Sequence, residues 1–561
     1  MTGARPPGYP LKVISAQASA ASGARTSRAG DFGGFRTRWA LLISVAGGLA
    51  LYASFPPIDA WPLVVLGPAL LVLALTGRSL RGSFGCALAF GLAQFVPLLS
   101  WLINLAWYAW AALAVSEAVI FALLAIGQRL LLRLPYWPVA VAGWWVLVEG
   151  VRDRWPYAFP WGRLAMSQSV APDVRWVAFG GAPLLSFLIA LTGAMLAGAV
   201  LAWLGPEGRA RWTASAAAVV TAGLVLAGGL LPADPTGGAP TAQVAAIQGN
   251  VPRARDLPQQ LSATQVTQNH VDATLKLAAQ VKAGQRPAPD LVIWPENATD
   301  LDPFQNPSVY AQLSTAVAAI GKPILIGEVL NNPRRNVGQL WVPGRGPTTA
   351  YVKRQLVPFG EYIPFRAQLG WLTDVSKAAG SNMVPGDGAH VLNATDRAGR
   401  PLPIGVLVCF ESAFPDMSRV DADHGAQLIV YQSSTSTFQG TWGPDQQASL
   451  AALRAAETGR PVVQAALTGD TVAFDARGRQ QAWLDQSGHG VVTVRETLPA
   501  ATARTFYDQA GDYVMWAGVV IAALAALVML GRRRGFLGRG TGISGGRTAQ
   551  YDTETGQPVA S

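Results

Sequence analysis

The residue with the clearest chemical potential is Cys409, which ends the apolar part of the segment Val-Leu-Val-Cys-Phe-Glu at residues 406–411. The chain of 561 residues contains only two cysteines, so Cys409 cannot belong to a dense disulfide framework. The carboxyl end of a strand in an α/β sheet is where active sites open, which favours a nucleophile. The segment is equally typical of a small core residue, because free cysteine is among the most buried residue types.

Two further segments place acids and a cation at strand ends. Leu-Val-Ile-Trp-Pro-Glu-Asn is an apolar run of strand length, and Glu296 follows the proline that ends it. The stretch Tyr-Val-Lys-Arg-Gln-Leu-Val-Pro-Phe-Gly-Glu-Tyr carries Lys353 and then Glu361 in a Pro/Gly turn. Taken singly, these residues fit a helix N-terminal charge, a solvated strand residue and a turn residue. Together with Cys409 they predict a base, a cation and a thiol brought together from separate strand ends.

The order of these segments resembles a known family. Glu296 in Trp-Pro-Glu, Lys353 before Val-Pro-Phe-Gly-Glu and Cys409 in Val-Cys-Phe-Glu-Ser resemble the Glu-Lys-Cys triad of the carbon–nitrogen hydrolase, or nitrilase, superfamily. The segment Val-Pro-Phe-Gly-Glu-Tyr-Ile-Pro and the hydrophobic flanks resemble one branch of it, the apolipoprotein N-acyltransferases. The similarity extends from about residue 39 to about residue 531. It implies an α-β-β-α sandwich domain joined to membrane helices.

The resemblance implies a role for each member of the triad. A free thiol with a pKa near ~8.5 is mostly protonated at neutral pH, so Cys409 needs a base. Glu296 is that base if the site is dry enough to raise its pKa. Lys353 supplies positive charge to the tetrahedral oxyanion, helped by a nearby backbone N–H. The residues expected around this triad, as oxyanion donor or as orienting acids, are Phe410, Glu361 and Glu411.

The substrate pocket is where this sequence departs most from the family pattern. Phe359 and Tyr362 lie in the turn that is expected to frame the pocket. A tryptophan that relatives carry soon after the first strand of the domain is replaced by Leu257. Relatives often carry an Asn-Asp-Ala-Trp-Phe-like segment, whereas residues 433–438 read Ser-Ser-Thr-Ser-Thr-Phe. The segment 454–461 does match, so the departures concern the pocket and not the triad.

The resemblance also implies a reaction and its partners. The donor is a membrane glycerophospholipid, typically through its sn-1 chain, and a thioester on the cysteine carries the acyl group. The acceptor is the α-amino group of the N-terminal S-diacylglyceryl cysteine of an apolipoprotein, in the last step of lipoprotein maturation. No cofactor, metal or nucleic acid is expected.

Three other functions stay open. A membrane-tethered nitrilase-like amidase would use the same triad with water as the acceptor. A transporter with an accessory soluble domain is disfavoured, because the apolar segments contain few acids or lysines, chiefly Glu117 and Glu149. A catalytically inactive binding domain is disfavoured by the intact glutamate, lysine and cysteine.

The composition divides the chain into membrane and soluble parts. Hydrophobic residues make up 50% of the chain and charged residues 14%, with a mean hydropathy of +0.27. Long uncharged runs dominate before residue 235 and after residue 512. We predict a multi-pass helical bundle of about eight spans. The candidate spans lie near residues 39–54, 61–77, 83–104, 111–128, 136–151, 180–204, 213–231 and 513–531.

This division gives a predicted domain organisation. The segments are a disordered cytoplasmic tail at 1–38, transmembrane helices 1–7 at 39–232, the catalytic domain at 240–500, transmembrane helix 8 at 512–531 and a second disordered cytoplasmic tail at 532–561. In the catalytic domain, strands and helices alternate from about residue 242 to about residue 498, which indicates α/β layers. Cys86 lies in an apolar span and is expected to be a small packing residue.

Loop charges predict the orientation in the cell membrane. The loops at 55–60 and near 105–110 carry no Lys or Arg, whereas arginines cluster at the other ends of the spans. By the positive-inside rule, both termini are cytoplasmic and the catalytic domain is extracytoplasmic. The loop at 152–163 carries three arginines against this rule, which suggests a functional or headgroup-facing loop whose aromatic residues form an interfacial belt. The net charge of +10 comes mostly from the loop arginines, and it indicates membrane topology and contact with anionic lipid, not nucleic-acid binding.

Overall fold

The computed structural model describes residues 34–205, 208–231, 239–251, 259–373 and 380–540. Leu257 lies outside the described residues, as do most of the two predicted tails.

Eight helices occupy the positions of the eight predicted spans. Their bounds are α1 Thr37–Ala53, α2 Leu66–Leu75, α3 Leu80–Leu98, α4 Trp107–Leu131, α5 Trp137–Arg152, α6 Val177–Leu204, α7 Gly208–Leu226 and, after the catalytic domain, α14 Tyr513–Gly540. They are apolar on several faces, as expected for helices that pack on one another and on lipid. Cys86 is buried within α3, as predicted.

Among the described residues, four segments are long and apolar enough to cross a membrane. They are Trp107–Leu131, Pro172–Leu204, Arg209–Leu230 and Tyr513–Leu530. Two others, Thr37–Ala53 and Trp61–Leu75, are apolar but shorter than the ~20 residues that a bilayer requires. A helical membrane region is therefore supported, whereas the number of eight spans stays a prediction.

The last helix is longer than the sequence suggested. Helix α14 runs to Gly540, so residues 532–540, which were expected in a disordered tail, are helical. The run Arg532–Arg534 that follows the apolar stretch does not interrupt a helix, because arginine is a good helix former.

The catalytic domain contains two six-stranded sheets. The first has the strand order β12-β1-β2-β3-β4-β5 and the second has the order β11-β10-β9-β8-β7-β6. The strands are β1 Thr241–Gln248, β2 Leu291–Ile293, β3 Ile324–Leu330, β4 Arg335–Val342, β5 Gly346–Val352, β6 Val391–Thr395, β7 Pro401–Val408, β8 Leu428–Ser433, β9 Val462–Ala466, β10 Thr471–Phe474, β11 Gln480–Leu484 and β12 Gly490–Thr497.

Four helices of this domain pack against its sheets, α8 Gln259–Lys282, α9 Pro307–Ile320, α11 Pro415–Asp423 and α12 Gly443–Thr458. Two shorter helices, α10 Arg366–Leu369 and α13 Phe506–Ala510, lie in the connections. Strands β1, β2 and β3 are mutually parallel, as are β7, β8 and β9. Their carboxyl ends therefore meet at shared sheet edges, where catalytic side chains collect in α/β folds. The predicted nitrilase-like sandwich is confirmed.

The two sheets pack face to face with very little space between them at Gly338 on β4. A Cβ atom built on Gly338 would lie 2.9 Å from Val406 Cγ1 on β7 and would also meet the side-chain oxygen of Gln432 on β8. The amide of Gln432 donates to the backbone oxygen of Trp294 over 2.7 Å, so it ties the second sheet to the first. A glycine is required here because the side chains of Val406 and Gln432 approach so closely.

The catalytic domain docks on the membrane helices chiefly through α12. Trp161 donates its indole N–H to Gln446 Oε1 over 2.8 Å. Glu457, at the other end of α12, accepts the backbone N–H of Ala182 over 2.7 Å. Helix α6 is kinked just before that residue, because Gly181 has a φ of 65°, and the kink exposes the N–H that Glu457 accepts. The two regions therefore share buried hydrogen bonds.

Gly338→Ala is expected to destabilise the catalytic domain by about 1–3 kcal/mol, because the added methyl group overpacks the space between the sheets. Thermal unfolding in detergent should show a melting temperature several degrees lower. Gly388→Ala is the matched control, since a Cβ at that loop position meets no atom within 4 Å. An equal change in both variants would contradict this account.

Candidate active site

Cys409 stands where β7 ends and a 3₁₀ turn, Cys409–Ala413, begins. Its φ of 52° lies in the left-handed region, which non-glycine residues rarely adopt. Such a conformation persists only when its surroundings hold it, and it is common at active sites. The thiol is partly buried and lies at the carboxyl edge of the second sheet.

Glu411 holds this strained turn in place. It is fully buried, and its carboxylate accepts the N–H of Val408 over 2.7 Å, just before the thiol. The same carboxylate accepts the N–H groups of Arg354 and Gln355 over 2.8 and 2.9 Å, just after Lys353. Burial raises the pKa of Glu411, and the backbone N–H groups that donate to its carboxylate oppose this rise because they stabilise the negative charge. It thereby joins the cysteine segment to the lysine segment.

Lys353 lies at the centre of the site, one residue after β5. Its side chain is 1% exposed, so it is not a solvated strand residue. The Nζ atom lies 2.9 Å from Glu361 Oε1 and 3.3 Å from Glu296 Oε1. Burial alone would lower the pKa of Lys353, but the charges of the two glutamates outweigh burial and raise it. The lysine is therefore a fixed positive charge at neutral pH.

Glu296 follows β2 and faces both the lysine and the thiol. Burial raises its pKa, the charge of Lys353 opposes that rise, and a hydrogen bond links the carboxyl to Cys409. Burial also raises the pKa of the Cys409 thiol to about 12, with the Glu296 charge acting in the same direction and Lys353 opposing. The thiol therefore keeps its proton in the resting site, next to a carboxylate that can accept it.

Asn336 is a residue of this site that sequence reasoning missed. Its side-chain Nδ2 donates to Glu296 Oε1 over 2.7 Å and reaches Glu361 Oε1 at 3.3 Å. Its backbone oxygen accepts the N–H of Lys353 over 2.9 Å. It lies on β4, a strand that the sequence did not predict because polar residues interrupt its apolar pattern. Its burial is evident only in the folded structure, so the sequence offered no signal for it.

The residues predicted to surround the triad differ in how deeply they are buried. Phe410 is buried and stacks on Phe159 of the membrane region, with ring centroids 6.0 Å apart. Phe359 is 41% exposed and adopts a φ of 64°, and its N–H donates to the Tyr362 oxygen over 2.7 Å. Glu361 ties the same turn by accepting the N–H of Val357 over 2.7 Å. The turn therefore forms a rim, whereas Phe410 forms a wall.

The loop at 152–163 contributes to this wall and is not a purely interfacial belt. Phe159 and Trp161 are buried, whereas Trp155 is 64% exposed. Arg152 is buried 2.5 Å from Glu117, and Arg163 pairs with Asp153. The paired arginines explain the departure from the loop-charge pattern, because they neutralise buried acids.

The two acids of the apolar segments that bear on the transporter alternative, Glu117 and Glu149, both have structural partners. Glu117 pairs with Arg152, and Glu149 accepts the backbone N–H of Leu164 over 2.9 Å. In the described part of the chain, no group of three or more His, Cys, Asp or Glu side chains is arranged to hold a metal ion.

The arrangement as a whole brings a thiol, a carboxylate that can accept its proton and a buried ammonium to one point. This is the equipment for attack on a carbonyl carbon with stabilisation of the resulting oxyanion. The aromatic wall beside this site belongs partly to the membrane region.

Comparison with known proteins identifies the family of this chain. The family model for the apolipoprotein N-acyltransferase N-terminal domain matches residues 47–195, and that for carbon-nitrogen hydrolase matches residues 243–504. A protein from Mycolicibacterium smegmatis named apolipoprotein N-acyltransferase is 36% identical, over 87% of this chain and 85% of its own length. A protein of the same name from Azotobacter vinelandii is 28% identical, over 87% of this chain and 93% of its own length. The chain belongs to the apolipoprotein N-acyltransferase family.

Proposed function

We propose that this protein transfers an acyl chain from a membrane glycerophospholipid to the α-amino group of the N-terminal S-diacylglyceryl cysteine of an apolipoprotein. The observation that carries the proposal is the Lys353 ammonium, buried between Glu296 and Glu361 beside the Cys409 thiol. The family assignment supplies the class of acceptor. The apolar wall shared with the membrane helices suits a lipid donor.

In the first half-reaction, Cys409 attacks the ester carbonyl of the lipid while Glu296 takes the thiol proton. Lys353 stabilises the oxyanion of the tetrahedral intermediate. Its collapse breaks the ester bond, and the departing lysophospholipid oxygen takes the proton back from Glu296. The products are a lysophospholipid and a thioester on Cys409.

In the second half-reaction, the α-amino group of the acceptor attacks the thioester carbonyl. Glu296 takes the proton that the amine loses, and Lys353 again stabilises the oxyanion. The thiolate of Cys409 leaves and is reprotonated by Glu296. The acceptor gains an amide bond, and the site returns to its starting protonation state. Attack by water instead would release free fatty acid, which is the amidase-like alternative.

Cys409→Ala is expected to abolish acyl transfer without unfolding the protein, because it removes the nucleophile alone. After incubation with radiolabelled phospholipid, the wild type should carry a hydroxylamine-labile acyl adduct that this variant lacks. Cys86→Ala is the matched control and should behave as the wild type, since that thiol is buried among the membrane helices. A labelled adduct in Cys409→Ala would refute the assignment.

Lys353→Met and Glu296→Gln are each expected to slow single-turnover acyl-enzyme formation by about two to three orders of magnitude. The first removes the charge at the oxyanion, and loss of one such donor costs about 3 kcal/mol or more. The second replaces a base by a near-isosteric amide. Lys353→Arg should not restore activity, because the planar guanidinium cannot replace a compact ammonium between two carboxylates. Near-normal acylation by Lys353→Met or Glu296→Gln would overturn the triad.

We also propose that the catalytic domain lies on the extracytoplasmic side of the cell membrane, with both termini in the cytoplasm. The asymmetry of arginines in the short loops supports this orientation. Reporter fusions near residue 300 and residue 540 are expected to give opposite results with an enzyme that is active on one side only. The same result at both positions would contradict the orientation.

A further inference from the structure

The Cys409 sulfur has neighbours on two sides, and the triad accounts for only one of them. Glu296 and Lys353 approach Cys409 from the first sheet, and Glu361 stands behind the lysine. These are the charged groups that face the thiol. On the side of the second sheet, the sulfur faces the first turns of α12 and the end of β8.

Gln447 on α12 occupies this second side. Its Nε2 lies 3.5 Å from Cys409 Sγ, within the range of hydrogen bonds to sulfur. The side chain of Gln447 is 4% exposed, so water cannot readily replace this donor. The backbone N–H of Ser434 acts in the same direction on this side, because it lowers the pKa of the Cys409 thiol against the effect of burial.

The orientation of the Gln447 amide is fixed by Ser433. The hydroxyl of Ser433 donates to Gln447 Oε1 over 2.8 Å, so the oxygen is held away from the sulfur and the NH₂ group faces it. A flipped amide would place an acceptor against the sulfur and its NH₂ group against the serine hydroxyl. With the serine hydroxyl as the donor to Oε1, as the structure has it, the glutamine is a donor to the sulfur.

The position of Gln447 is fixed from the membrane side by its neighbour Gln446. Gln446 accepts the indole N–H of Trp161 over 2.8 Å and donates to the backbone oxygen of Leu98 over 3.3 Å. The beginning of α12 is thus anchored on the membrane helices, and the donor that follows is held at the thiol. The site on this side is complete only in the full chain.

We propose that Gln447 is a further catalytic residue, which stabilises the Cys409 thiolate as its proton passes to Glu296 and again as the thiolate leaves the thioester. The Ser434 N–H assists, and Ser433 is the residue that positions the amide. Donors aimed at a developing anion stabilise it more than they stabilise the neutral group. This role deepens the proposed acyl transfer, but it applies to any reaction of this thiol.

The test is the pH dependence of alkylation of Cys409 by iodoacetamide, in which the thiolate displaces iodide. The full-length protein in detergent carries Cys86→Ala, so that one thiol remains. Gln447→Leu removes the donor and should move the alkylation profile about one pH unit upward. On the rising limb of the profile, this shift makes alkylation about tenfold slower at a given pH. Gln447→Glu should move it further, because a carboxylate repels the thiolate. Ser433→Ala should give a smaller shift in the same direction.

Ser449→Ala is the matched control. Its hydroxyl donates to the Gln446 backbone oxygen over 2.8 Å on the same helix, so the variant perturbs α12 without removing a sulfur donor. Its profile should coincide with that of the wild type. Thermal unfolding identifies misfolded variants, and the near-isosteric Gln447→Glu keeps the test decisive if Gln447→Leu does not fold. Coincident profiles for folded Gln447→Glu and wild type would overturn the proposal.

Alkylation is independent of the lipid reaction. If the Gln447 variants shift the alkylation profile but the wild type forms no acyl adduct, the role of Gln447 is supported and acyl transfer is refuted. If the wild type forms the acyl adduct but the Gln447 variants leave the alkylation profile unchanged, only the role of Gln447 is refuted.

Discussion

A buried ammonium group is the constraint on which the site depends. Lys353 is almost inaccessible to solvent, and an unpaired charge in such a place would be strongly destabilising. Glu296 and Glu361 neutralise it, and Asn336 donates to both carboxylates. These groups come from the ends of different strands of one sheet and the turn that follows it. The sheet must therefore bring those ends together, or the lysine cannot stay buried and charged.

The same burial sets the state of the nucleophile. It raises the pKa of both Cys409 and Glu296, so that the proton remains within the pair until a carbonyl group is presented. The strained backbone at Cys409 survives because Glu411 receives donors from both sides of the site. Reactivity and rigidity thus have a common origin in a dry pocket in which the charged groups are paired by hydrogen bonds.

Attachment to the membrane helices is part of the site and not merely a tether. Helix α12 is held at one end by Trp161 through Gln446 and at the other end by the Ala182 N–H through Glu457. The ring of Phe159 stacks on Phe410, next to the nucleophile. Groups from the membrane region therefore contact the catalytic domain within one or two residues of the reacting sulfur.

The sequence by itself determined which residue types could carry out the chemistry, the α/β class of the domain and the positions of the apolar helices. Glu296 and Cys409 could be selected because each follows an apolar strand, and Lys353, Glu361 and Glu411 because they lie in the motifs that resemble the family. Strand β4 escaped prediction because its alternation is interrupted by polar residues.

Tertiary structure alone decided which distant groups meet. Asn336 and Gln447 look like ordinary polar residues in the sequence, and they reach the site only when both sheets and α12 are assembled. The loop at 152–163 was predicted to be functional or to face lipid headgroups, and its Arg152 and Arg163 are buried against acids from α4 and the same loop. Local patterns follow from periodicity along the chain. Pairing between residues tens to hundreds of positions apart depends on packing, which no local pattern encodes.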